Sequence, residues 1–274
     1  MTITTPTYWD IDGTPLQTLA YNIETLGGDR LGVPLLRGSD LMIPGFPGET
    51  YMSKMVDART ITLAMWVVGA DVNGNTSGDE ATNFMTNWTA LRNLLWTPNR
   101  QVVLTKRFYV AGTLVTASAK AQFVGGLSPS MHGPAGAAFT VDFRLTNPYF
   151  YGPQVFTNLT TGSQVVAVNG DDITRNIQFL INGQRVNPKI RNSPLNVDVK
   201  YLGTLNTGDA VALDITAFSS MTTPSGLASY KSVGSIVHTG DPSWLLLQPG
   251  NNTIVLSSDS GIGVVTMTHQ AAYL

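Results

Sequence analysis

Period-two alternation of apolar and polar residues constrains this chain more than any other feature. In Phe139-Thr140-Val141-Asp142-Phe143-Arg144-Leu145 every second residue is apolar. A strand points successive side chains to opposite faces, so one set meets a core and the other meets solvent. Arg59 to Val67 repeats the pattern, with Ile61, Leu63, Met65 and Val67 on one face. Trp66 falls on the opposite face with Thr60, Thr62 and Ala64, which implies that this face is covered too, by a helix or a neighbouring subunit. Ala117, Ala119, Ala121 and Phe123 alternate with Ser118, Lys120 and Gln122. Small residues on one face imply close approach of another layer.

One helix is expected, over 78–96. Ser77-Gly78-Asp79-Glu80 reads as a capping box, in which Ser77 satisfies the Glu80 amide and Glu80 reaches back. Asp79 and Glu80 then sit at the positive end of the helix dipole. Phe84, Trp88, Leu91 and Leu95 follow as a single apolar stripe, and Pro98 ends the helix.

A boundary is expected at Asn147-Pro148-Tyr149-Phe150-Tyr151-Gly152-Pro153. Beyond it no helical periodicity remains. Short apolar runs recur at Gln164–Val168, Asn176–Ile181, Asn196–Tyr201, Val211–Ile215, Trp244–Leu247, Thr253–Ser257 and Val264–Thr268. Turn residues separate them, among them Asn169-Gly170, Asn182-Gly183 and Pro249-Gly250-Asn251. Many short strands without helices predict a β-sandwich or jelly roll. Ser219–Ser235, rich in Ser, Thr and Gly, reads as a long loop. The expected fold is mainly β, in two domains: 1–150, a barrel- or sandwich-like domain with one helix, and 151–274, a β-sandwich.

Charge narrows the function. Only 12% of the 274 residues are charged, about half the usual share, and the net charge is −2. Residues 1–150 carry 10 basic and 11 acidic side chains, and 151–274 carry 6 and 7. Neither half has the basic stripe that binds nucleic acid by counterion release. The clusters Arg100, Lys106, Arg107 and Arg185, Lys189, Arg191 read as solvated strand faces and turns. A hydrophobic fraction of 43% is too high for disorder. No apolar run approaches the roughly 20 residues of a spanning helix, and MTITTPTYWDID does not read as a signal peptide. Interface cores are depleted in charge, so a chain this poor in charge reads as an assembly subunit.

Chemistry has little to work with. There is no cysteine, hence no disulfide, thiolate catalysis or Cys-ligated metal. P-loop, dinucleotide and G-x-S-x-G patterns are missing. His132, His238 and His269 are isolated in sequence, with no metal-ligand partner at helical or strand spacing. Asp71-Val72-Asn73-Gly74-Asn75 resembles the start of a calcium loop, but Thr76 and Thr82 occupy the positions that need Gly and Glu. No enzyme, cofactor or metal site is expected.

The same residues resemble the distal tail proteins of long-tailed, non-contractile bacteriophages. Leu36-Arg37-Gly38-Ser39-Asp40, then Ile43-Pro44-Gly45-Phe46-Pro47-Gly48-Glu49, is similar to that family's N-terminal signature. Asp57-Ala58-Arg59 and the following strand, and Asn147-Pro148-Tyr149-Phe150-Tyr151, match its order. So do Val186-Asn187-Pro188-Lys189-Ile190 and Trp244 to Asn252. Pro44, Gly45, Gly48, Asp57, Arg59, Asn147 and Pro148 are the signature positions; Phe46 stands where the family often has a basic residue.

The resemblance implies a virion protein at the tail tip. Its 1–150 "belt" domain would form a hexameric ring joining the tail tube protein to the tail-tip hub or a tail-associated protein. Its 151–274 domain would be a galectin-like sandwich that projects outward. DNA would pass through the lumen without being bound specifically. Asn187-Pro188-Lys189 superficially echoes a galectin sugar motif, but Arg185 stands in place of its histidine, and a turn is the expected role. Trp244 is a candidate contact for carbohydrate or a partner. Two further readings stand beside the ring: a carbohydrate-binding module built on Trp244, Tyr201 and Tyr230, and another tail-tube ring.

Overall fold

The computed structural model describes residues 8–24, 34–42, 44, 47, 49–50, 55–71, 73–76, 78–110, 112–223, 232–239, 244–261 and 263–274. They are mainly antiparallel β with a single helix among the described residues. The chain forms two compact units, Met1–Phe150 with Leu274, and Tyr151–Tyr273.

In the first unit the strands are β1 (Tyr8–Ile11), β2 (Tyr21–Ile23), β3 (Arg59–Val68), β4 (Gln101–Val110), β5 (Thr113–Gly126) and β6 (Gly136–Leu145). They pair antiparallel in the order β2-β3-β6-β5-β4-β1. The β3–β6 register sets Ile61 opposite Phe143, Leu63 opposite Val141 and Met65 opposite Phe139. These residues are all buried, so the period-two pattern marks the core face. Val102 and Leu104 of β4, Ala117, Ala119 and Ala121 of β5, and Trp9 and Ile11 of β1 extend it.

Helix α1 (Glu80–Leu95) lies on that face. Phe84, Leu91 and Leu95 are buried beneath it, and Trp88 meets Phe139 edge-on at 5.2 Å between ring centres. Asn87 Nδ2 donates to the carbonyls of Val68 (2.9 Å) and Ala70 (2.8 Å), tying the helix to the end of β3. The N-cap is Asp79 rather than the expected Ser77, which lies outside the described residues: the Asp79 carboxylate accepts from the Thr82 amide (3.1 Å) and hydroxyl (2.6 Å). A charged cap residue two positions later does the same work as the predicted box. The helix does not cover Trp66, which is half-buried on the opposite face of β3.

The second unit is a two-sheet sandwich. Beyond the strand Phe150–Leu159 and several two-residue strands, its main strands are β7 (Gly162–Val168), β8 (Ile177–Asn182), β9 (Lys189–Asn192), β10 (Val197–Leu202), β11 (Ala210–Asp214), β12 (Ser219–Thr223), β13 (Ser235–Thr239), β14 (Gly250–Ser257) and β15 (Val265–Tyr273). One sheet runs β15-β8-β11-β12 and the other β7-β14-β9-β10-β13. Phe179, Ile181, Leu213 and Met267 from the first, and Val166, Ile190, Val199, Ile254 and Leu256 from the second, share one core. Face-to-face packing of two alternating sheets is the expected sandwich.

Two expectations fail here. Trp244–Leu247 is not a strand: Trp244 has φ of 65°, and Leu247 forms one isolated bridge with Thr174. The run is apolar because Leu245, Leu246 and Leu247 plug the sandwich core without joining a ladder. Ser219–Ser235 is not one loop, because Ser219–Thr223 pairs with β11. Thr and Ser suit a half-exposed strand as well as they suit a loop.

Candidate functional site

The signature positions of the first half fall into three groups. Gly45 and Gly48 lie outside the described residues, and Pro44 is an exposed turn residue. Asp57 and Asn147 set local turns: Asp57 Oδ1 accepts from the Ala58 amide (2.8 Å), and Asn147 Oδ1 from the Tyr149 amide (3.2 Å). Pro148 is buried. Arg59 is buried on the core face, its guanidinium 5.8 Å from the centre of the Phe150 ring. Lys106 joins the same cluster, its Nζ 4.5 Å from the Phe150 ring, 4.9 Å from Phe108 and 2.6 Å from the Leu274 carbonyl oxygen. Trp9 meets Phe150 edge-on at 5.7 Å. Two cations beside one aromatic ring gain cation–π attraction in a dry setting. The cluster binds strand starts and ends of the unit to each other; the chemistry it offers is structural.

Sequence spacing carried the signal for Lys106. Val102, Leu104 and Lys106 alternate along β4, so Lys106 belongs to the core face and is not the solvated residue expected. Arg185 departs in the same way, being 1% exposed. It donates to the Gly263 carbonyl and reaches the Thr161 and Ser258 hydroxyls at 3.4 Å, with no carboxylate partner among the described residues. The other basic residues are engaged locally: Arg100 with Asp12 (2.6 Å), Arg107 with Asp10 (2.6 Å) and Lys189 with Asp198 (2.9 Å). Arg191 donates to Asn196 Oδ1 at 2.6 Å. Dispersed pairing of this kind leaves no continuous basic track.

Among the described residues no three His, Asp or Glu side chains come close enough to hold a metal. His132 and His238 are exposed and His269 is buried. Asp71 closes an Asx turn, accepting from the amides of Asn75 (2.8 Å) and Asn73 (2.9 Å), and these bonds hold its carboxyl below the usual range. Its oxygen therefore serves the turn that leads toward the helix.

In the second unit the Asn187-Pro188-Lys189 turn is consumed internally. Asn187, at φ of 49°, donates to Asp259 (2.7 Å) and accepts from the Gly203 amide (2.9 Å), while Lys189 is the partner of Asp198. Nothing in that turn points outward to grip a sugar. Asn252, fully buried, accepts from the Gln248 amide and donates to the Gln248 and Gly250 carbonyls, which folds the Pro249-Gly250-Asn251 turn. Trp244 is half-buried between Phe218 (edge-on, 5.7 Å) and His238 (stacked, 6.2 Å). Tyr201 is buried in the core, and Tyr230 lies outside the described residues.

Two surface patches of the first unit are poor in charge. The outer face of α1 carries Ala81, Met85, Thr86, Thr89, Ala90 and Asn93 around a shallow depression. Met85 and Trp96 are each 57% exposed. The outer face of the sheet carries Trp66, Ala64, Ala138 and Thr140 as neighbours across β3 and β6. Faces of this composition suit contact with protein better than contact with water.

No protein-family model matches the chain, and no curated protein matches it. Among solved structures it is similar to the Dit protein (gp 19.1) of phage SPP1, a paradigm of the hub of the adsorption apparatus in phages that infect Gram-positive bacteria. The TM-score is 0.65 at 17% identity, over 98% of this chain and 99% of that one. The baseplate of phage P2 in its activated conformation with Ca also aligns, over 98% and 99%, at 7% identity and a TM-score of 0.42, too low to bear on the fold. The likeness to the SPP1 protein shows a shared fold across both units.

Proposed function

We propose that this chain is a structural protein of a phage virion, a distal tail protein in the tail tip of a long non-contractile tail. The observation that carries the reading is the fold likeness to SPP1 Dit, which spans nearly the full length of both chains. The charge-poor patches around Met85 on α1 and around Trp66 on the sheet support it. On this reading the 1–150 unit is the belt that closes into a ring of six copies, between the tail tube protein and the tail-tip hub. The 151–274 unit is a galectin-like sandwich that projects from the ring, and DNA crosses the lumen unread. A ring also hides sheet edges, which in a β-rich chain otherwise invite uncontrolled pairing.

Negative-stain microscopy of the purified protein tests this. Discrete rings with a central opening support it; long tubes favour a tail-tube ring protein; single particles at every concentration overturn it. A second reading has one observation in its favour, the Phe218–Trp244–His238 cluster on the second unit, whose rings suit stacking on a sugar. A glycan array without hits, and unchanged host adsorption with Trp244→Ala, removes it.

A further inference from the structure

Arg185 carries a charge that the second unit leaves uncompensated. The residue is 1% exposed. It lies in a two-residue strand, Arg185–Val186, that pairs with Thr204–Leu205 on one side and Ser260–Gly261 on the other. Its guanidinium donates to the Gly263 carbonyl oxygen through Nη2. Nη1 reaches Ser258 Oγ and Nη2 reaches Thr161 Oγ1, each at 3.4 Å, which is long for a hydrogen bond. Nε is buried and has no acceptor. Among the described residues no carboxylate pairs with this cation. Asp259, next in the chain to Ser258, is engaged elsewhere: it accepts from Asn187 Nδ2 at 2.7 Å and stands 3.7 Å from Lys200 Nζ.

A buried cation is ordinarily paired, because taking its charge out of water is costly. Here the chain supplies hydroxyls in place of a counter-charge. Thr161 leads into β7 and Ser258 follows β14, and Gly162 pairs with Leu256, so both hydroxyls come from the same end of one ladder. Each hydroxyl can turn its hydrogen toward an acceptor that also takes the free Nε–H. A Cβ at Gly263 would stand 3.4 Å from Arg185 Nε and 2.3 Å from the Asn182 carbonyl oxygen, so the chain closes around the guanidinium as tightly as glycine allows. Thr161 is exposed, which puts the cluster just beneath the surface. We propose that Arg185, Thr161 and Ser258 form a site for a small inorganic anion, chloride or bromide, entering from solvent past Thr161. A monatomic anion suits the site because it demands little room and no fixed acceptor geometry. A carboxylate side chain from another molecule is too large to reach so enclosed a group without opening the turn. The site stands on the second unit alone and does not depend on the tail-protein reading.

Thermal melting of the full-length protein tests it, with chloride replacing gluconate at fixed ionic strength. The melting temperature of the parent is expected to rise as chloride increases and to level off as the site fills. Bromide is expected to act in the same way. Arg185→Met is expected to lose this dependence and to melt at or above the parent in gluconate. Ser258→Ala keeps the guanidinium and is expected to need several-fold more chloride for the same rise, which serves as the comparison if Arg185→Met does not fold. Broadening of the chloride NMR line by the parent, and not by Arg185→Met, reads the binding directly. A parent whose melting ignores both halides overturns the site. So does an Arg185→Met protein that responds as the parent does, which marks a general salt effect; if that variant does not fold, an unaltered response in Ser258→Ala has the same force.

Discussion

At the scale of single residues, burial decides more than charge. Arg185 keeps its charge inside the sandwich with a carbonyl and two hydroxyls but no carboxylate, and burial pulls its pKa down. Desolvating a cation is costly, and well-packed apolar replacements of buried charges are often neutral or stabilising. Arg185→Met is therefore expected to leave the melting temperature unchanged or raise it; a fall equivalent to more than about 3 kcal/mol would show that the guanidinium anchors its neighbours indispensably. His269 is expected to make stability depend on pH. It is 2% exposed, burial pushes its pKa below the ordinary histidine range, and a hydrogen bond to the Ala167 main chain opposes this only in part. The unfolded chain takes up a proton near pH 6.5 while the folded chain resists it. Stability is thus full above that value and declines as pH falls through it. Urea midpoints between pH 8 and 5 should drop with acid in the parent and drop less in His269→Gln; parallel curves would contradict this. The core-facing position of Lys106 is legible from alternation with Val102 and Leu104. The burial of Arg185 is not, because its two-residue strand, Arg185–Val186, offers no period to read.

Among elements, α1 was legible almost to the residue, since an i, i+4, i+7 stripe and a following proline are local signals. Its cap was displaced because Asp79 and Ser77 are both good N-cap residues, and only the geometry of the first turn chooses between them. Trp88 is half-buried against Phe139, so Trp88→Ala is expected to cost about 2–3 kcal/mol, below the ~3–5 of a fully buried ring. Unchanged melting would mean that the ring faces a partner instead of the core. The end of β5 depends on a bulge between Phe123 and Gly125, after which Gly126 adopts φ of 95°. A Cβ there would stand 2.2 Å from the Thr140 carbonyl oxygen. Gly126→Ala should therefore destabilise the first unit by roughly 1–3 kcal/mol in thermal melts, where an unstrained glycine-to-alanine change would stabilise. Trp244–Leu247 misled because an apolar run of four fits a strand and a core plug equally well. Only the left-handed backbone at Trp244 separates them, and composition does not reveal φ.

For the whole molecule, the two-sheet sandwich and its partner unit follow from short alternating runs, while the proposed assembly rests on the fold likeness and on charge-poor surface patches. No three His, Asp or Glu side chains group as a metal site among the described residues, and the depression around Met85 on α1 is lined by uncharged side chains. Which surfaces lie open could not be read from alternation alone, since Trp66 marks a face without saying what covers it. Assembly through such faces gains from apolar burial and loses little to salt, so the oligomer should persist as ionic strength rises. Native mass spectrometry of the full-length protein measures the central claim most directly. The account predicts one dominant species near six times the 29.4 kDa chain mass, retained from low to high salt before transfer into volatile buffer. A spectrum holding only the single chain, at every protein concentration, would contradict it.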